Sequence, residues 1–84
     1  LEHNLDYELA VFYLKSIIRS DNDERAYCEY KLATCFHHGW GVKASNKNAL
    51  HYYQCSSEHG ESLAQNLLGD AYFNGELGLN QSYE

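Results

Sequence analysis

Four stretches of the chain space their apolar side chains at helical intervals, and short polar or glycine-bearing links divide them. Over 6–19 the apolar positions are Leu9, Ala10, Tyr13, Leu14, Ile17 and Ile18. This three-then-four spacing lays one stripe along an α-helix. Asp6 stands where an N-cap is wanted, its carboxylate placed to accept from free amides of the first turn. A second stripe, over 24–38, runs through Tyr27, Cys28, Leu32, Ala33, Cys35 and Phe36. A third, over 46–59, uses Ala49, Tyr52, Tyr53 and Ser56, and a fourth, over 62–74, uses Leu63, Ala64, Leu67, Leu68, Ala71 and Tyr72. Four helices with these bounds are predicted.

The links carry start and stop signals. Asp21 and Glu24 are three apart, as in a capping box for the second helix, and Ser45 precedes the third as its N-cap. The acids between Ser20 and Glu24 are read as a solvated turn, because a calcium loop needs regularly spaced oxygen ligands and a central glycine. Gly39, Gly60 and Gly75 each follow the end of a stripe, where a left-handed residue closes a helix without a Cβ penalty. Trp40 is expected to fold back on the turn before Gly39, and Val42 to pin the loop to the core.

The second stripe and its loop return later in the chain. Leu68−Leu32, Gly69−Ala33, Tyr72−Phe36 and Gly75−Gly39 all give 36, whereas Gly78−Gly41 and Leu79−Val42 give 37, so the second loop holds one inserted residue. A fixed period in this range is the mark of stacked helical units. Small residues at Ala33, Gly69 and Ala49 let paired helices approach closely, with Phe36, Tyr52, Tyr53 and Tyr72 filling the remaining gap. The insertion calls for a second loop of different geometry.

The order Leu-small-x-x-aromatic-x-x-Gly-x-Gly-Val over 32–42, then Ala-x-x-aromatic-Tyr over 49–53, then Glu-x-Gly over 58–60, resembles the Sel1-like repeat, a relative of the tetratricopeptide repeat. The likeness implies an all-α fold, an α-solenoid of antiparallel helix pairs. It divides the chain into the second helix of one unit (6–19), a full unit (24–60) and a partial unit (61–84). It also implies a scaffold or adaptor that binds proteins rather than an enzyme. The alternative function is a regulatory or structural helical segment of a larger enzyme or enzyme activator. Ala33 replaces the family's usual glycine, and the longer link at 20–25 makes the first junction looser than the second.

Composition narrows the partners. The formal charge is −6 with six Lys plus Arg among 84 residues, which disfavours phosphate backbones and anionic lipid, so no nucleic acid partner is expected. No apolar run approaches the roughly 18 residues of a membrane span, so no direct membrane insertion of this segment is expected. The chain has no Met, and 80–84 reads as the opening of another helix, which points to a piece of a longer solenoid. Open repeat ends would then expose apolar faces, giving marginal stability or self-association.

Three kinds of side chain carry candidate chemistry. Cys28 and Cys35, seven apart on one helix, lie about 10.5 Å apart along its axis and cannot bridge each other. In a secreted branch of the resembled family, cysteines staple each helix pair at places that fall here on Glu29 and Ser57. Their absence favours reduced thiols and a reducing, cytoplasmic compartment. His51, Cys55 and His59 follow one another at four-residue steps, but such steps on one helix do not close a tetrahedral metal site, so no metal and no cofactor are expected. Cys35 with His38 lacks an oxyanion hole and an orienting acid, and no catalytic residue is assigned.

With the buried stripe removed, the first helix of each unit leaves Tyr30, Thr34 and His37, and 36 residues on, Asn66, Asp70 and Phe73. Stacked, these rows form a strip of aromatic and amide groups with one acid. It suits an extended peptide held by backbone hydrogen bonds and apolar anchors, and these six are the expected protein-binding residues.

Overall fold

The computed structural model describes residues 2–20 and 22–78, with side chains described from Asp6 onward. The order is α1 (Glu2–Arg19), α2 (Arg25–His38), α3 (Asn46–Glu58) and α4 (Ser62–Asn74), with no strand among the described residues. Neighbours in sequence are neighbours in space: α2 packs on α1 and α3, and α3 packs on α4. This is the helix-pair solenoid that the period of 36 calls for.

Local signals set most helix ends. Ser45 Oγ accepts from the Asn48 amide at 3.1 Å, as an N-cap should. Gly39 and Gly75 both close their helices in the left-handed region. The Trp40 amide then reaches the Cys35 carbonyl at 2.9 Å and the Glu76 amide reaches the Ala71 carbonyl at 2.8 Å. These two closing bonds sit 36 residues apart, so the repeat extends to individual hydrogen bonds.

Four expectations need correction. Helix α1 begins at Glu2, which leaves Asp6 inside the helix rather than at its cap. Asp21, one half of the expected capping box, lies outside the described residues; Asn22 Oδ1 accepts the Glu24 amide at 2.8 Å instead. Helix α3 ends at Glu58 with His59 as its cap, one residue before Gly60, and the Glu61 amide closes on the Ser56 carbonyl. Gly69 meets no described atom within 4 Å of where a Cβ would stand, so its smallness serves no close approach among the described residues.

The buried face of α1 is also turned from the expected one. Val11 is 4 % exposed and packs with Leu14 and Ile18 against Leu32, Cys35 and Val42 of the next unit. Leu9 at 60 % and Tyr13 at 67 % point away from it, together with Phe12. The physical cause is that α1 is apolar on nearly every side. Its only substantial helix partner among the described residues is α2, and that contact chooses the face.

Among the described residues two clusters make the core. In one, Leu32 and Cys35 of α2 meet Val11 of α1; in the other, Leu68 and Ala71 of α4 meet Ala49 and Tyr53 of α3, with Ala33 alongside. Leu32 and Leu68, and Cys35 and Ala71, hold matching places. Ala33 and Ala49 are fully buried, which agrees with their expected role in close helix approach. Phe36 and Tyr52 stack above them with ring centroids 5.7 Å apart and planes within 3°.

The two loops differ, as the inserted residue requires. In the first, Gly41 lies so close to α1 that a Cβ there would stand 2.5 Å from the Tyr7 carbonyl carbon. Trp40 stacks on His38 (4.5 Å) and also on Tyr7 (5.4 Å), so the loop reaches the preceding unit as well as its own last turn. In the second, the extra residue Leu77 adopts a left-handed backbone and drops into the core, while nothing described approaches Gly78. An apolar anchor is kept, but from a different position.

Candidate protein-binding surface

Helix α2 supplies Tyr30, Thr34 and His37, and α4 supplies Asn66, Asp70 and Phe73. The two triplets do not have the same character. Tyr53 of α3 gathers the α2 row around itself: its ring lies 5.8 Å from that of Tyr30 and edge-on to His37 at 6.3 Å. The Thr34 hydroxyl donates to the Tyr30 carbonyl at 3.0 Å, so the Tyr53 hydroxyl, 3.1 Å away, is the donor to Thr34 Oγ1. Burial pushes the Tyr53 phenol up from its ordinary value. The α2 row is thus half-buried and tied into the core, with Tyr27 extending it outward at 6.3 Å from Tyr30.

The α4 row is open. Asn66 and Asp70 are exposed, and Phe73 is 61 % exposed. Tyr30 of α2 and Leu67 of α4 both pack against one buried cluster that holds Ala33, Leu68 and Ala71. They are joined through α3, since the substantial helix pairings are α1 with α2, α2 with α3 and α3 with α4.

At the far end of the α2–α3 pair is an arrangement that sequence patterning missed. Glu29 is 2 % exposed; its Oε1 accepts from His59 Nδ1 at 2.7 Å and its Oε2 from Arg25 Nε at 3.3 Å. Beside it Ser56 Oγ donates to the Ala26 carbonyl, crossing the same seam. Glu29 and His59 are 30 residues apart, and no local pattern marks them as partners. The clamp keeps a buried carboxylate between two donors, so its desolvation is compensated.

The remaining histidines and cysteines divide by position. Cys28 and Cys35 are buried free thiols pushed up by burial, Cys28 further by Glu24 and Glu29, whereas Lys31 opposes the shift at Cys35. The His38 ring lies between His37 and Trp40 in a stack. Because His59 turns to Glu29, it leaves the other two members of its four-residue series, and His51 Nε2 alone meets Cys55 Sγ, at 3.8 Å. No group of three or more His, Cys, Asp or Glu side chains suited to a metal ion gathers among the described residues. None of the described helices is long and apolar enough to cross a membrane.

The family model of the Sel1 repeat matches residues 4–22, 26–61 and 62–84. The second and third matches start 36 residues apart (62 − 26), the period read from the leucines and glycines. No curated protein matches the chain, and no solved structure does.

Proposed function

The chain belongs to the Sel1 repeat family, whose helical units generally mediate contacts between proteins, and on that premise we propose that it is a protein-binding scaffold segment. The recognition surface is the side formed by the first helices of the units, α2 and α4. The observation that carries this reading is the exposed row Asn66, Asp70 and Phe73 on α4, together with the aromatic row on α2 that Tyr53 holds. Rigid aromatic side chains present area at little entropic cost, and an exposed amide serves the backbone of an extended peptide. Asp70 is the only acid of the six and favours a ligand with a basic side chain next to an apolar one.

The engaged hydroxyl of Thr34 gives the α2 row a positioning part, while direct hydrogen bonding falls to α4. Apolar side chains also point outward on the flanking helices, Leu9, Phe12 and Tyr13 on α1 and Leu63 and Tyr72 on α4. These faces suit stacking against further units, whether of the same chain or of a second copy.

A displayed library of short peptides, selected on the chain, tests the strip. Peptides that bind the wild type are expected to bind Lys15→Ala equally and to lose at least tenfold in affinity on Asp70→Ala and on Phe73→Ala. Selected peptides that bind all three variants alike would place recognition elsewhere.

A further inference from the structure

We infer that His51 and Cys55 form one half of a zinc site, completed by the same pair of a second copy, so that zinc joins two chains back to back along α3. The starting observation is a distance. Zinc bonds of about 2.05 Å to nitrogen and about 2.3 Å to sulfur, at the tetrahedral angle, put the two ligand atoms about 3.6 Å apart. His51 Nε2 and Cys55 Sγ are 3.8 Å apart on successive turns of one helix, so only a slight adjustment separates the pair from a coordinating geometry. His51 is exposed and Cys55 partly so. In the metal-free chain the 3.8 Å contact is a hydrogen bond between thiol and imidazole; zinc takes the place of the thiol proton, which is released to solvent.

One chain cannot finish the site, because His59 is held by Glu29 and no third ligand gathers there among the described residues. A two-fold axis can. Two copies of α3 laid antiparallel with His51 opposite the second copy's Cys55 (51 + 55 = 106) supply two imidazoles and two thiolates, a complete tetrahedral donor set whose charge neutralises the ion.

The rest of that helix face agrees with the same register. Lys47 and Glu58 are eleven residues apart, about three turns, so they share the face with His51. In the antiparallel pair Lys47 falls opposite the second copy's Glu58 within one residue (47 + 58 = 105), and the opposite pairing repeats by symmetry. Both residues are exposed. The buried side of α3, through Ala49, Tyr53 and Ser56, faces the other way and stays with its own chain. The contact uses α3 residues outside the strip on α2 and α4, so the dimer carries two copies of that recognition surface.

The test is a titration of reduced, chelator-treated chain with zinc chloride, read by mass in solution and by bound metal. The expected result is a doubling of mass with one zinc per two chains, reversed by chelator. With cobalt in place of zinc, a thiolate-to-metal charge-transfer band should appear. His51→Ala and Cys55→Ser should each abolish the zinc-dependent doubling at unchanged helicity, and Cys28→Ser should leave it intact. Lys47→Glu should weaken it, and adding Glu58→Lys should restore it. No zinc binding, one zinc per unchanged monomer, or a doubling that survives Cys55→Ser would overturn the inference.

Discussion

Gly41 offers the sharpest test of how the units are joined. Its φ is +75° and a Cβ would stand 2.5 Å from both the carbonyl carbon and oxygen of Tyr7 and 2.8 Å from the Glu8 nitrogen, all backbone atoms that cannot swing aside. Gly78, in the second loop, has nearly the same φ, +76°, but nothing among the described residues stands within 4 Å of where its Cβ would be. Alanine at either position meets the left-handed backbone cost, about 1 kcal/mol. Only Gly41→Ala must also push the loop off α1. That loosens the Tyr7–Trp40 stack, worth about 0.5 to 1.5 kcal/mol, and part of the Val42 packing, for a total of about 2 to 4 kcal/mol. In a domain of this size each kcal/mol lowers Tm by about 4 to 8 °C. Melting curves by circular dichroism should therefore show Gly41→Ala falling at least twice as far as Gly78→Ala. Trp40 is the only tryptophan, so its emission reports the same event and should shift to the red in Gly41→Ala alone. Equal shifts in Tm for the two variants, with Trp40 emission unchanged, would refute the view that this glycine exists for a close approach between units.

The Glu29 clamp and the buried hydroxyl and thiol groups give the remaining predictions. Glu29→Ala removes the shared acceptor of Arg25 and His59 and should cost about 1 to 3 kcal/mol; a double-mutant cycle with His59→Ala should show coupling of at least about 0.5 kcal/mol, and additive losses would mean that the 2.7 Å contact contributes nothing. Cys28, Cys35, Cys55 and Tyr53 all have values raised above 9.0 for the thiols and 10.0 for the phenol, so the folded state holds their protons more tightly than the unfolded one. The stability this contributes is fully present below about pH 9 and falls as pH rises through the folded values. Denaturant midpoints measured from pH 7 to 11 should decline above pH 9, and less steeply in Tyr53→Phe with Cys35→Ala, though that variant starts from a lower midpoint; parallel curves for the two proteins would remove these groups as the cause.

What was legible in the sequence was what depends on near neighbours along the chain. Helix bounds for α2 and α4, the serine cap at Ser45 and the closures at Gly39 and Gly75 follow from side chains within a turn of the backbone groups they serve. The period of 36 added the stacking, because units with the same stripe bury it in the same way, and Leu32 and Leu68 do so. The strip was legible only as six residues on two helix faces; that Tyr53 engages Thr34 while Asn66 and Asp70 are exposed depends on which side of each helix meets α3.

Tertiary structure decided the rest, wherever the partner was far away or the pattern was degenerate. Leu9, Val11, Phe12, Tyr13 and Leu14 surround α1 with apolar groups, so no periodicity could choose the face that meets α2. Glu29 looks like a surface residue until His59, 30 positions on, supplies a donor, and Gly41 looks like another turn glycine until Tyr7 arrives 34 positions back. Local geometry writes its preferences into adjacent residues; burial, ion pairing and close approach are properties of whichever segments the folded chain brings together.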